Sequence, residues 1–333
     1  MLPFVSLIIP TLNEEEYLEQ TILSLLSNDY PSNKFELLIV DGLSKDNTVA
    51  ITQGLAKKFP NIRLMSNSKI YQSAALNIGI KESKGNFIIR ADAHAIYDKN
   101  YIRSTINILQ KDEFANVGPV QVSTGSTLVE KAIAKAMNSK IGMGNAKYRL
   151  DKRELFEVKS VWLGAWKKET LIKINGFNEK LPISEDFDLN YRLRRSGSKI
   201  AASNSIKAMY LVRKSLTGLF KQFYKYGFWK IKFLMTYPEE FQLRWLVPPI
   251  FVFSLFLSIL LVKFISWAIV LPIVYISTLL LITFYFMIKS NSFKDLISST
   301  ILFLVFPVIH ISWGVGFLYG LFHWNIKKIY QNN

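Results

Sequence analysis

The chain has no cysteine among its 333 residues. Disulfides, thiolate zinc sites and a cysteine nucleophile are excluded, and the composition fits a reducing compartment. Glycine nests for phosphate are missing too. No Gly-x-Gly-x-x-Gly follows the first apolar run, and no Gly-x-x-x-x-Gly-Lys-Ser/Thr occurs. A nucleotide bound here must be held by carboxylates and a metal. Residues 1–10 are apolar but carry no basic leader region, so a secretory signal is not expected and the N-terminal part is placed in the cytoplasm. Acids are scarce at the other end. From residue 246 to 333 there is one, Asp295, against five lysines.

The apolar residues are unevenly spread. Half the chain is hydrophobic, and the excess lies between Leu246 and Phe322. Three spans are expected, at about 246–262, 264–288 and 297–322, each near the ~20 residues that cross a bilayer. Lys327 and Lys328 would face outward after three crossings from the cytoplasm, against the positive-inside tendency, so two to four spans fit. His310 in the last span is a pathway residue or a packed residue bonded to a neighbouring helix. The first 245 residues hold 36 basic and 24 acidic side chains. Such a surface suits phosphorylated substrates, anionic lipid or nucleic acid. Residues 215–245 interleave aromatics with lysine, including Phe220, Lys221, Phe223, Tyr224 and Lys225. Next to apolar spans, this pattern favours a membrane interface over a nucleic-acid groove.

The first part alternates strands and helices. Val5–Ile9, Phe35–Val40, Ile62–Met65 and the run from Phe87 read as strands, with helices between them. This pattern predicts a mostly parallel sheet covered on both faces. Ligands then gather at the carboxyl strand ends, where Pro10-Thr11, Asp41-Gly42 and Asp92-Ala93-His94 would lie. Asp92 and His94 are two apart, so they share a face at a strand end and could hold a divalent metal. An isolated Asp-x-His also occurs in ordinary loops. Further on, 139–151 reads as a loop and Val161–Trp166 as a strand. Ser184 is expected to cap a helix whose first turn carries Glu185, Asp186 and Asp188. The helix dipole alone accounts for much of that charge pattern.

Four motifs in order carry a resemblance: Pro10-Thr11-Leu12-Asn13-Glu14, the run from Asp41 to Asp46, Asp92-Ala93-His94 and Glu185-Asp186-Phe187-Asp188. The region from about 4 to 235 resembles the inverting glycosyltransferases of family 2, with the α/β GT-A fold. Residues 72–80, the Asp-Ala-His and the apolar tail look most like the succinoglycan-biosynthesis glucosyltransferase subgroup. The resemblance implies a nucleotide-sugar donor, a UDP-sugar ahead of a GDP-sugar. Pro10, Thr11, Asn13, Glu14, Asp41, Gln72, Asn77 and Asp92 would serve that donor. Asp92 and His94 match the family's Asp-x-Asp and would ligate Mn²⁺ or Mg²⁺. His in place of the last Asp favours Mn²⁺, and some GT-A enzymes acting on polypeptides share it. Asp186 would be the base, with Glu185 and Asp188 tuning it. Trp162, Gly164 and Trp166 would face the acceptor, although a buried core Trp is the usual alternative.

Processive relatives carry Gln-x-x-Arg-Trp near the membrane. Gln222, Lys225 and Tyr226 form a degenerate version on the acceptor side, and Lys lacks the bidentate fork of Arg. This argues against a polymer synthase. The expected organisation is a GT-A domain over 1–214, an interface segment over 215–245, spans over 246–325 and a polar tail over 326–333. The expected activity is transfer of one sugar to a lipid-linked glycan at the inner (plasma) membrane, in exopolysaccharide or envelope glycan synthesis, without nucleic acid. A polyprenyl-phosphate sugar synthase, a non-catalytic nucleotide-sugar-binding scaffold and a nucleic-acid-binding membrane protein are the rivals.

Overall fold

The computed structural model describes residues 2–144, 149, 151 and 153–331. The chain divides into two compact units, Met1–Val122 with Lys147–Leu211, and Ser123–Ala146 with Val212–Asn333.

The first unit opens as β1 (Val5–Thr11), α1 (Leu18–Leu26), β2 (Phe35–Asp41), α2 (Thr48–Lys58), β3 (Ile62–Ser66), α3 (Gln72–Glu82) and β4 (Phe87–Arg90). β5 (Ala95–Tyr97), α4 (Tyr101–Leu109) and β6 (Asn116–Pro119) follow. The chain then passes through β7 (Val122–Thr124) to α5 (Leu128–Met137) and α6 (Lys140–Met143) of the second unit. It returns as β8 (Leu155–Glu157), β9 (Ala165–Lys167), α7 (Lys168–Lys173), α8 (Glu185–Arg195), β10 (Ile200–Ser203) and β11 (Ala208–Leu211).

Among the described residues eight strands form one sheet in the order β3-β2-β1-β4-β9-β6-β10-β8. β1 to β4 pair in parallel, β9 runs antiparallel to β4 and β6, and β5 pairs antiparallel with β11. Both faces of β1, β2 and β4 are buried, which is why these strands are rich in apolar residues. Leu7, Ile9, Leu37 and Ile39 point to one core with Leu18, Ile22 and Ile102. Ile8, Leu38 and Val40 point to the other with Ala75, Leu76, Leu189 and Leu193. Each such side chain contributes about 1.5–3 kcal/mol by leaving water. β6 is four residues long and stops at Pro119, in keeping with Gly118-Pro119.

Two local expectations change. The strand expected over Val161–Trp166 is confined to Ala165–Lys167, because Leu163 takes φ 51 and bends the chain just before it. Ser184 precedes α8 but does not cap it. It adopts φ 76, and its side chain accepts no hydrogen bond from the helix. The loop expected over 139–151 includes the helical turn of α6, and residues 145–148 and 150 lie outside those described.

The second unit contains α9 (Leu216–Thr236), α10 (Val247–Leu261), α11 (Val270–Ile288), α12 (Phe293–Thr300) and α13 (Leu302–Gln331). Among the described residues three helical stretches are long and apolar enough to cross a membrane, Leu243–Leu261, Ser266–Ile288 and Phe293–Ile326. α9 packs along α13 through small residues. A Cβ at Gly227 would overlap the Trp313 carbonyl, and one at Gly316 the Tyr224 carbonyl. Close approach through glycine is how helices associate where burial from water gives no drive. Segment 123–146, expected in the sheet domain, groups with these helices instead. Lys135 of α5 pairs with Asp295 (2.6 Å) and donates to Ser299 Oγ (2.7 Å). His310 is held by Tyr275 Oη (3.2 Å) and the Ile141 carbonyl (3.0 Å), so it is a packed, bonded residue.

Candidate active site

The parallel register brings Thr11 level with Asp41, and Ile8 level with Arg90. The loops after β1 and β2 therefore leave the same edge side by side, and they are laced together. Asp41 Oδ1 accepts from Thr11 Oγ1 (3.2 Å) and Ser44 Oγ (2.5 Å), and its Oδ2 accepts from the Ser44 amide (2.9 Å). Asn13, at φ 54, donates its amide to Ser44 Oγ (2.8 Å) and accepts from the Lys45 amide (2.8 Å). The Glu14 amide donates to Thr48 Oγ1 (2.8 Å). Thr11, Asn13, Glu14 and Asp41 thus form one rigid rim, with Pro10 at the end of β1 opposite Val40.

Beyond β4 the polar groups converge on Arg90. Its Nε donates to Asp92 Oδ1 (3.0 Å) and its Nη1 to Glu185 Oε1 (2.8 Å). With the Gln72 amide turned to satisfy both neighbours, Gln72 accepts from Arg90 Nη2 (2.8 Å) and donates to Glu185 Oε1 (3.3 Å). Arg90 is 8% exposed, Asp92 7% and Glu185 5%. Asp92 is fixed further. Trp162 Nε1 donates to its Oδ2 (2.9 Å), and Tyr97 Oη accepts from its amide (2.8 Å) and donates to its carbonyl (3.2 Å). His94 Nδ1 lies 3.1 Å from Glu14 Oε1. Tyr210 meets both the His94 ring (5.3 Å) and the Trp162 ring (5.8 Å) edge-on.

These contacts set the charges. Burial opposes ionisation of Asp92, but the Arg90 guanidinium, then His94 and the Trp162 hydrogen bond, outweigh it and hold the carboxyl below its ordinary range. Burial pushes Glu185 up to about 7, opposed by Arg90 and reinforced by Asp186. The Arg90 guanidinium is held protonated more firmly than usual. Burial works against its charge, and Asp92, Glu185 and Asp186 overcome it.

Other expected residues go elsewhere. Asp188 is fully buried and accepts from Arg192 Nε (2.8 Å) and Asn178 Nδ2 (3.2 Å). Arg192 in turn donates to the Ile174 (2.5 Å) and Gly176 (2.7 Å) carbonyls, so Asp188 anchors the turn before α8. Asn77 grips the same turn through both backbone groups of Phe177 (2.8 and 2.9 Å), not a donor. Trp166 is 3% exposed and packed edge-on against Phe177 at 5.8 Å, a core residue and not a stacking face. Trp162 serves Asp92. Gly164 sits beneath it, its carbonyl accepting from the Arg90 amide (3.0 Å), where a Cβ would strike the Trp166 ring and Asn116. Gln222 and Tyr226 bond each other (2.9 Å) on α9 of the second unit, with Lys225 exposed beside them. Asp186, half-buried, accepts from the Phe187 amide (2.8 Å). Arg90, Tyr97 and Tyr210 were not foreseen. The signal for Arg90 was present, since an arginine two before Asp92 shares its face of an otherwise apolar strand.

Among the described residues no three His, Asp or Glu side chains converge as a ready metal cage. The donor set nonetheless fits a divalent cation shared with a substrate. Each Asp92 oxygen accepts one hydrogen bond and keeps acceptor capacity, and His94 bonds through Nδ1 alone, which leaves Nε2. Mg²⁺ and Mn²⁺ sites commonly take one or two protein ligands plus phosphate oxygens and water.

The family description Glycosyl transferase family 2 matches residues 6–164. Over 331 residues the chain is 31% identical to the dolichyl N-acetyl-alpha-D-glucosaminyl phosphate 3-beta-D-2,3-diacetamido-2,3-dideoxy-beta-D-glucuronosyltransferase of Methanococcus voltae, spanning 97% of this chain and 98% of that one. The chain belongs to glycosyl transferase family 2. It is also 29% identical to the succinoglycan biosynthesis protein ExoA of Rhizobium meliloti over 73% of each chain. The mannosyltransferase PcManGT of Pyrobaculum calidifontis, solved with GDP-Man and Mn²⁺, superposes with a TM-score of 0.62 over 96% of this chain and 88% of its own, at 14% identity. That likeness establishes the fold, GT-A.

Proposed function

We propose that this family 2 glycosyltransferase is a membrane-anchored, metal-dependent, inverting enzyme. It moves one sugar from a nucleotide-sugar to a lipid-linked glycan at the cytoplasmic face of the cell membrane. One observation carries the reading: Asp92, Glu185 and Asp186 act on a single guanidinium, Arg90, at the carboxyl edge of the sheet, and Glu14 adds a further carboxylate beside His94. An anionic donor is repelled by that excess of carboxylates unless a cation accompanies it.

The rim formed by Thr11, Asn13 and Asp41 orients the nucleoside. Asp92 and His94 would hold the cation, which when bound neutralises the departing diphosphate as a Lewis acid. Arg90 keeps Asp92 ionised and aimed. Asp186 takes the proton of the acceptor hydroxyl as that oxygen attacks the anomeric carbon. Glu185, fixed on Arg90, orients the turn that presents Asp186. The Methanococcus relative's name describes transfer onto a dolichyl-linked N-acetylglucosaminyl phosphate, which supports a lipid-linked glycan over the bare lipid phosphate as acceptor. Lys221, Lys225 and the aromatics of α9 suit headgroup depth.

The test is transfer from a panel of UDP- and GDP-sugars, with Mn²⁺, Mg²⁺ or chelator, to lipid extract supplied to the full chain. A metal-dependent extended lipid-linked glycan from one donor is expected, with a UDP-sugar ahead. Absence of turnover with every donor overturns the reading, and a lipid monophosphate sugar as product selects the polyprenyl-phosphate sugar synthase.

A further inference from the structure

The resemblance gave Glu14 to the nucleoside pocket, yet its carboxylate is committed elsewhere. Its Oε1 lies 3.1 Å from His94 Nδ1, while its amide is pinned by Thr48 Oγ1 at 2.8 Å. Both side chains are largely enclosed, at 18% and 17% exposure. A carboxylate only accepts, so a neutral imidazole facing it carries its proton on Nδ1 and its lone pair on Nε2. The ring is steadied on a second side by Tyr210 at 5.3 Å, and the His94 carbonyl accepts from the Leu211 amide at 3.0 Å. Among the described residues Nε2 has no hydrogen-bond partner.

We infer that Glu14 is a positioning residue for a divalent cation at His94, and that it biases the Asp92–His94 pair toward Mn²⁺ over Mg²⁺. The inference rests on the metal reading of the proposed function. A carboxylate behind a ligating imidazole fixes its tautomer and raises its basicity, and losing such a partner typically weakens metal binding about 10–100-fold. The gain falls on the imidazole, which suits Mn²⁺ better than the harder Mg²⁺. Asp92, an oxygen ligand, serves both ions. Glu14 therefore sets a ratio of affinities, whereas a residue that only braces the loop would leave that ratio alone.

The experiment is titration of the detergent-solubilised full chain with Mn²⁺ alone, read by the loss of the free-ion EPR signal, and competition of that signal by Mg²⁺. Asp92→Ala and His94→Ala are measured beside Glu14→Ala and Glu14→Gln. His94→Ala should lose most Mn²⁺ affinity and Asp92→Ala should lose both ions. Glu14→Ala should weaken Mn²⁺ about tenfold, at the lower end of that range, with Mg²⁺ changed less than threefold. Glu14→Gln keeps an acceptor oxygen and should fall between Glu14→Ala and the native chain, so it carries the test if the alanine variant does not purify. Mn²⁺ affinity and the Mn²⁺/Mg²⁺ ratio within twofold of native in the Glu14 variants, with His94→Ala impaired, overturn the inference. Native-like Mn²⁺ binding by both Asp92→Ala and His94→Ala overturns the metal reading beneath it.

Discussion

The same residue types have opposite places in the two units. In the first unit Leu7, Ile8, Ile9 and Leu37 are wholly buried, and the polar groups of the site lie where strands end. In the second unit Phe256 is 60% exposed, Phe284 60% and Leu281 71%, while Ser298, Ser299 and Ser312 are fully buried. Each inversion follows from the solvent. Water drives apolar side chains inward, whereas hydrocarbon offers them no such drive and penalises an unpaired hydroxyl or imidazole instead. Polarity in the first unit gathers on Arg90 at the strand edge and on Arg192 at the turn before α8. In the second it is spent on internal bonds such as Lys135 to Asp295 and His310 to Tyr275.

Breaking the charge balance of the first unit should have the largest effect. Arg90→Met leaves Asp92 and Glu185 buried without their counter-ion, and losing one partner of a buried pair costs about 3–5 kcal/mol. Thermal unfolding followed by tryptophan emission should show the loss, and an unchanged midpoint would contradict the hub. The solvent contrast predicts the next effect. Leu281→Asp should oppose membrane insertion by about 2.5–3.5 kcal/mol, seen as loss from the membrane fraction. Ile172→Asp, at a position also exposed but in the first unit, should stay within about 0.5 kcal/mol in a stability assay.

Titration sharpens the comparison within the site. The folded pKa of Glu185 is raised, so the native state holds the extra proton between the ordinary value of 4.5 and about 7. Stability therefore falls as pH rises through that window. Asp92 is lowered, and its contribution is present above the ordinary 3.8 and lost as pH falls through its folded pKa. Glu185→Gln should flatten the thermal midpoint across the upper window and leave the acid limb in place. A modest effect is expected of His310→Ala. It removes bonds to Tyr275 and Ile141 worth about 0.6 kcal/mol each in a membrane setting, measurable as a slight drop in detergent resistance.

What the sequence disclosed follows from range. β1 to β4 are readable because each is a mostly apolar stretch between turn residues. The spans are readable because a bilayer demands length. The site is readable as positions, since strand ends of a parallel sheet share an edge. Pairings are another matter. Arg90 reaches Glu185 across 95 residues, and Lys135 reaches Ser299 across 164, so neither local pattern nor spacing announces them. The attachment of 123–146 to the helical unit was hidden for that reason. α5 carries an apolar face of Ile133, Ala136 and Met137 that would serve against a sheet as well as against helices. Ser184 has a capping side chain by type, but its backbone is left-handed, which propensity does not reveal. The acids after it were legible as a cluster. Their division of labour, Glu185 on Arg90 and Asp188 on Arg192, was not.

The central claim is that donor holding and proton removal are separate tasks on one edge. It is tested most directly by measuring nucleotide-sugar binding and transfer for Asp92→Ala and Asp186→Asn side by side, with Mn²⁺ present. Asp92→Ala should lose metal-dependent donor binding. Asp186→Asn should bind donor nearly as the native chain does, while transfer falls by the 10²–10⁴ or so that a general base typically supplies. Donor binding lost equally in both variants, or transfer retained by Asp186→Asn, would contradict the account.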